Sequence, residues 1–303
     1  MGFEIDNNLH WTDHYVEHGF CVVKGALDKD FCRRGIAAFQ KELGTDLPPQ
    51  QWSTTTLHHK HHSGRMSPGA GLQPFIESVY DEPGLRAAID TMVGGFDVWS
   101  GERSCQPFLC VFDPANEPSI PRRGHIDFLE VRIPILGNGF AFQAALIDTE
   151  PFSGNITIYP GYHKIIPRKL LEEPGFWFSG KGPRHEAWVQ LVPEVEPYEF
   201  VAEAGDVLFF HHLVGHEGNV NAAAHHTPRV AIHGQVSTKQ WLQEIDPARP
   251  DLSPFERSLA LNGAIKLPFD EQAAQQAAYA ERKFRWQMEK WAEARKQPAT
   301  ATP

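Results

Sequence analysis

The feature that most constrains the fold is a series of short apolar segments in the middle of the chain. Each segment is only a few residues long, and glycine, proline or asparagine separates it from the next one. Short apolar runs bounded by turn residues indicate β-strands, and many of them in succession favour an all-β sandwich or a double-sheet jelly roll. The predicted strands cover residues 108–112, 131–136, 140–147, 156–159, 189–192, 207–210 and 230–236.

The two ends of the chain have a different pattern. Residues 11–47 predict a helix capped by Thr12 or Asp13, a short strand and a second helix, whereas residues 48–71 show no period and indicate a long loop. An apolar stripe between Ala273 and Trp291 predicts a packing or dimerisation helix. We expect a single domain over residues 1–303, with an N-terminal segment and lid loop (1–97), a jelly-roll core (98–240) and a helical tail (241–303).

Composition excludes several classes of partner. The net charge of -10 argues against nucleic acid or an anionic membrane, because phosphate binding depends on clustered Lys and Arg. No apolar run approaches the roughly 20 residues of a membrane span, and the amino terminus lacks an apolar signal core. The four cysteines lack CxxC spacing, which favours reduced thiols. We expect a cytoplasmic protein that acts on a small-molecule substrate.

Three residues form a candidate metal site, and a fourth is a candidate for binding an organic carboxylate beside it. His125 and Asp127 are two positions apart, so on a strand both side chains reach the same side. His216 follows the 207–210 segment in a glycine-rich turn, and Arg229 opens the returning strand, which predicts a hairpin that brings the two together. Two imidazoles and one carboxylate suit Fe(II) and O₂, and Arg suits an organic carboxylate. The ordinary alternatives are a chance His-x-Asp strand, a loop histidine and a surface salt bridge.

The other histidines have competing interpretations. His211 and His212 are alternatives to His216 as the third ligand. His163 is predicted to be structural rather than a ligand. The histidine-rich run at residues 58–62 has no partners at fixed spacing, so a solvated loop or lid is predicted rather than a zinc site.

In these motifs the sequence resembles the phytanoyl-CoA dioxygenase-like (PhyH) branch of the Fe(II)/2-oxoglutarate oxygenases. The similarity covers most of the chain, and it lies in several weak motifs that follow in the family's order. The motifs are residues 17–23, His125 with Asp127, residues 145–155, residues 160–164 (similar to the family's PGSHK), residues 205–210, His216, Asn221 and Arg229.

The resemblance implies a mainly β fold, a double-stranded β-helix with flanking helices at both ends. It implies that His125, Asp127 and His216 bind Fe(II) and that Arg229 binds the distal carboxylate of 2-oxoglutarate. A single catalytic domain would then use O₂ to hydroxylate or otherwise oxidise a small or secondary metabolite, releasing succinate and CO₂. Because Asp127 is present, halogenation is disfavoured.

The chain departs from the family at two places near this site. Residues 142–144 replace a common aromatic, and Glu217 replaces a small hydroxyl residue after the second histidine. Gln106 and Gln143 are candidate polar contacts to 2-oxoglutarate, with a hydrogen bond to neighbouring backbone as the ordinary alternative.

Substrate contacts are expected from loops, where function varies between relatives. We predict a lid at residues 52–75 with Arg65 and Met66 as contacts, and a second wall at residues 167–188. A homodimer through the C-terminal helix or the aromatic residues of that wall is a further expectation. Two other functions stay open, a cupin-like metal isomerase or dioxygenase that does not use 2-oxoglutarate, and a non-catalytic ligand-binding jelly roll.

Overall fold

The structure, a computed structural model, is mainly antiparallel β-sheet with flanking helices. The residues it describes are 3, 5, 8–57, 63–95, 97–121, 124–126, 139–172, 195–239 and 245–261. The helices in them are α1 (Trp11–His18), α2 (Lys29–Leu43), α3 (Leu72–Glu77), α4 (Pro83–Val93), α5 (Tyr162–Glu172) and α6 (Pro254–Leu261), with 3₁₀ turns at Pro49–Gln51 and Ser78–Asp81. None of these helices is both long enough and apolar enough to cross a membrane.

The strands form two sheets. They are β1 (Phe20–Val23), β2 (Ser63–Arg65), β3 (Ser104–Cys110), β4 (Gly139–Ala145), β5 (Ile156–Tyr159), β6 (Tyr198–Glu199), β7 (Val207–His211), β8 (Gly215–Gly218) and β9 (Arg229–Ser237). The large sheet has the order β1-β7-β4-β9-β3-β2, the small sheet has the order β6-β5-β8, and all of these pairs are antiparallel. Two sheets of this kind are the two layers of a jelly roll.

The alternation of side chains divides the large sheet into two faces. Phe142, Phe209 and Ile232 belong to the main core, which the N-terminal helices cover. The neighbouring positions, such as Ala141 and Phe210, form a second core with residues of β5 on the small sheet. The face that carries Ala141 and Phe210 lies between the two sheets, and we call it the inner face. Ligand sites of jelly rolls form on this face. The predicted fold class, a double-stranded β-helix with flanking helices, is therefore confirmed.

The predicted helix–strand–helix at the amino terminus is confirmed as α1, β1 and α2. The predicted cap is wrong, because His10 caps α1 and its carbonyl accepts from the amides of Asp13 and His14. Thr12 lies inside the helix, where its hydroxyl meets the Nδ1 of His10 at 2.8 Å. The strands predicted at 131–136 and 189–192 lie outside the described residues.

The segment predicted as a long loop and lid is partly built into the fold. β2 pairs with β3 at the end of the large sheet. Trp52, Met66 and Leu72 are buried in the main core. Apolar side chains at wide, irregular spacing thus anchor this segment, so its described residues do not form a free lid.

Candidate active site

His125 and His216 are direct neighbours across a β-bridge. The amide of each donates to the carbonyl of the other, at 2.8 and 2.9 Å, and their ring centroids are 4.4 Å apart. The structure therefore brings together two of the three predicted metal ligands. Asp127, the third, lies outside the described residues, as do residues 58–62.

The predicted hairpin between His216 and Arg229 is wrong. His216 lies on β8, which pairs with β5 in the small sheet, whereas Arg229 begins β9 in the large sheet. The chain crosses from one sheet to the other after β7, so the two residues face each other across the interior instead of along one hairpin. Gly218, at the end of β8, passes over Arg229, because a β-carbon on this glycine would lie 3.6 Å from the guanidinium.

Hydrogen bonds fix the proton positions on both imidazoles. The Nδ1 of His125 lies 3.2 Å from the Oε2 of Glu217, and the Nδ1 of His216 lies 3.2 Å from the carbonyl oxygen of Val214. Since a carboxylate and a carbonyl can only accept, Nδ1 is the protonated nitrogen in each ring. In the neutral rings Nε2 then carries the lone pair, which is the form that binds a metal.

The donor set therefore fits a divalent transition metal. Within the described residues, no group of three His, Cys, Asp or Glu side chains is arranged to hold an ion. A third ligand for His125 and His216 would have to come from residues outside that part, where the sequence places Asp127. The assignment of the three ligands stays a prediction.

Arg229 is buried, and no acidic side chain among the described residues forms an ion pair with it. The residue is 5% exposed, its Nε has no hydrogen-bond partner in the part of the chain that the structure describes, and its guanidinium carbon lies 5.6 Å from the centroid of the Phe108 ring. Burial lowers the pKa of the Arg229 guanidinium. An unpaired buried cation is costly, so this environment favours a carboxylate from a bound ligand.

The two predicted glutamines lie in one row across the inner face. Gln106 on β3 and Gln143 on β4 both stand opposite His233 on the central strand β9. Gln143 is 2% exposed, and no described residue forms a hydrogen bond with its Oε1. The row is thus a polar strip in the floor of the site, and a bound ligand could satisfy its buried amide.

Sequence reasoning missed His233. The centroid of its ring lies 5.4 Å from that of Phe108 and 5.9 Å from that of Phe210. The Phe210 ring also contacts His216, with centroids 4.8 Å apart. These ring contacts connect the histidine pair to the surroundings of Arg229. A period of two counted from Arg229 would have placed residue 233 on the same face of the strand.

Two other histidines, His211 and His163, lie elsewhere. His211 packs between Tyr15 and Phe255 on the helix-covered face of the large sheet, with ring centroids 6.4 and 6.3 Å away. His163 is buried, and its Nε2 lies 3.1 Å from the carbonyl of Val16. Neither of them is on the inner face with the histidine pair.

The two predicted substrate contacts have different positions. Arg65 is exposed on β2 opposite Phe108, and therefore on the same face as the site. Met66 is 1% exposed in the main core on the other face. That burial leaves Met66 no surface to offer a substrate, and its expected role is corrected accordingly. Residues 173–188 of the predicted second wall and the C-terminal helix lie outside the described residues.

Comparison with solved structures supports the fold. EvdO2 from Micromonospora carbonacea var. aurantiaca superposes with a TM-score of 0.50 at 11% identity, over 78% of this chain and 93% of that one. The epimerase SnoN from nogalamycin biosynthesis, described as non-heme and alpha-ketoglutarate dependent, gives 0.49 at 17% identity over 75% and 82%. HygX from Streptomyces hygroscopicus gives 0.46 at 11% identity over 78% and 88%. No protein-family model matches the sequence, and no curated protein matches it.

Proposed function

We propose that this protein is an Fe(II)/2-oxoglutarate-dependent dioxygenase of the phytanoyl-CoA dioxygenase-like type. It would oxidise a small or secondary metabolite, with hydroxylation as the favoured outcome and succinate and CO₂ as by-products. His125, Asp127 and His216 would hold the iron, and the presence of Asp127 in the sequence disfavours halogenation.

The observation that carries this proposal is the pairing of the two histidines on the same inner surface as Arg229. No carboxylate among the described residues pairs with this guanidinium, which is nevertheless buried. A cupin-like enzyme without an organic acid co-substrate, or a structural jelly roll, would have no use for such a cation. A dicarboxylate that reaches from the metal to Arg229 accounts for both features.

The metal and the residues around it would have different roles in the reaction. Bound Fe(II) would supply the activation of O₂ that couples decarboxylation of 2-oxoglutarate to oxidation of the substrate. Arg229 would hold the distal carboxylate and so fix the direction of the co-substrate. Phe108 and Phe210 line the same face and would exclude water from the reacting atoms.

The ligands present in similar solved structures support the proposed cofactor and co-substrate. EvdO2, which shares the fold, has been crystallised in complex with 2-oxoglutarate. SnoN has been crystallised with Fe3+, alpha ketoglutarate and nogalamycin RO, and HygX with nickel and 2-oxoglutarate. Those ligands belong to those proteins, and here they support the choice of cofactor and co-substrate to test.

An anaerobic titration tests the proposal. Fe(II) and 2-oxoglutarate added together should give a weak visible charge-transfer band, which disappears in His125→Ala and weakens in Arg229→Ala. Arg103→Ala, which removes a surface arginine paired with Asp81, is the matched control and should leave the band unchanged. A folded wild-type protein that gives no band would overturn the proposal. Succinate formation across a panel of metabolites would then identify the substrate.

A further inference from the structure

We propose that Glu217 is a positioning residue that holds the ring of His125 in the orientation and tautomer needed for metal binding. This inference rests on the proposed function. It concerns a residue that replaces the small hydroxyl expected from the family resemblance, so it describes a feature of this chain.

The contact is direct. The Oε2 of Glu217 lies 3.2 Å from the Nδ1 of His125, and both side chains are about one-third exposed, at 35% and 31%. Histidines that bind metals usually donate their second ring N–H to a carboxylate or a carbonyl, which fixes the ring and raises the basicity of the coordinating nitrogen. A serine or threonine at this position would carry its oxygen on the β-carbon and would be too short to make the same contact.

The position of Glu217 follows from the sheet. β8 places His216 opposite Ile158 and Glu217 opposite Thr157, so the two successive side chains leave opposite faces of the strand. His216 faces the interior, where its ring packs against that of His125. The Glu217 side chain is long enough for its carboxylate to contact the Nδ1 of the same ring. Two consecutive residues of one strand thus hold His125, one through its backbone and ring and the other through its carboxylate.

His216 provides an internal reference. Its Nδ1 is held by the backbone carbonyl of Val214, and no side-chain substitution removes this acceptor. The Nδ1 of His125, in contrast, contacts the side chain of Glu217. A variant of Glu217 should therefore affect one of the two histidines and leave the other unchanged.

Metal affinity gives the first test. Co(II) or Ni(II) affinity, measured in competition with a chelator, should fall about 10- to 100-fold in Glu217→Ala. Glu217→Gln should lose less, since its amide retains an acceptor oxygen. Glu203→Ala, which removes an exposed carboxylate elsewhere, is the matched control and should bind as the wild type does.

Proton NMR of the Co(II) protein gives the second test, which a purely structural role would not affect. Each histidine coordinated through Nε2 contributes one shifted, solvent-exchangeable Nδ1–H signal. In Glu217→Ala one of these signals should exchange faster, while the one held by Val214 keeps its wild-type rate.

The outcomes separate the two proposals. Metal binding that survives in His125→Ala contradicts the proposed function itself. If His125→Ala loses the metal but Glu217→Ala keeps the wild-type affinity and both slow signals, only the role of Glu217 is overturned. Complete loss of the metal in Glu217→Ala, equal to that in His125→Ala, would make Glu217 a ligand and would also overturn the positioning role.

Discussion

Gly124 packs directly against the backbone of His216. A β-carbon on residue 124 would lie 2.8 Å from the carbonyl oxygen of His216 and 2.9 Å from its amide nitrogen. These are the two atoms that exchange hydrogen bonds with His125. The absence of a side chain at Gly124 is therefore a condition for the close pairing of the two histidines.

Gly124→Ala should separate the histidine pair. The added methyl group must displace backbone atoms that take part in the β-bridge, and such overpacking costs typically 1–3 kcal/mol. We expect a lower melting temperature together with weaker metal binding. Gly71→Ala is the matched control, because a β-carbon at Gly71 meets nothing within 4 Å. Wild-type metal affinity in Gly124→Ala would show that the pair tolerates the displacement.

Arg229→Met should weaken 2-oxoglutarate binding without destabilising the protein. Removing one partner of a buried charge pair costs about 2–5 kcal/mol of binding. Among the described residues Arg229 has no ion pair that the substitution would break, so the free energy of unfolding should change little. The measurements are isothermal titration with 2-oxoglutarate, in the presence of a redox-inert metal, and urea unfolding. Arg103→Met removes the surface ion pair with Asp81. It should change neither the free energy of 2-oxoglutarate binding nor the free energy of unfolding by more than about 1 kcal/mol. Strong destabilisation in Arg229→Met would instead indicate a structural ion pair.

Local sequence pattern predicted the parts of the fold that depend on neighbouring residues. The first two helices, β1 and the inward-facing arginine of β9 follow from periodicity and from the cost of burying a charge. Which strands pair cannot be deduced in this way. β5 and β8 join residues about 60 positions apart, and this pairing moved His216 from a predicted hairpin into the second sheet. Met66 was misplaced for a related reason, since an apolar residue in an aperiodic segment gives no sign of which face it will join.

Stability should decrease in mild acid because of His163. Its ring is buried in the N-terminal part of the fold, and burial lowers its pKa from 6.5 to about 4. Below pH 6.5 the unfolded chain therefore binds a proton that the folded protein excludes. The free energy of unfolding should fall between pH 6.5 and pH 4, by on the order of 3 kcal/mol from this residue.

Urea unfolding at several pH values between 6.5 and 4 measures whether the free energy of unfolding falls as predicted. His163→Gln should flatten the pH dependence, because the amide does not titrate and can still donate to the carbonyl of Val16. His226→Gln, at an exposed position, is the control and should leave the slope of the wild type largely intact. A slope that is unchanged in His163→Gln would assign the acid sensitivity to other groups, among them the buried His211, whose pKa burial also lowers.

Gln143→Leu, in the floor of the site, should weaken ligand binding without lowering the stability of the protein. The Oε1 of Gln143 is buried, and it has no hydrogen-bond partner among the residues that the structure describes. A buried oxygen without a partner costs about 1–3 kcal/mol, so an apolar side chain of similar size should leave the protein as stable or more stable. If the row of Gln106, His233 and Gln143 binds the co-substrate, the same variant should weaken 2-oxoglutarate binding measured by titration of the metal-loaded protein. Gln73→Leu, which removes a half-buried hydrogen bond to Glu77 on α3, is the control and should not change the affinity for 2-oxoglutarate. Unchanged 2-oxoglutarate affinity in Gln143→Leu, with weaker binding of the oxidised metabolite, would assign the row to the primary substrate.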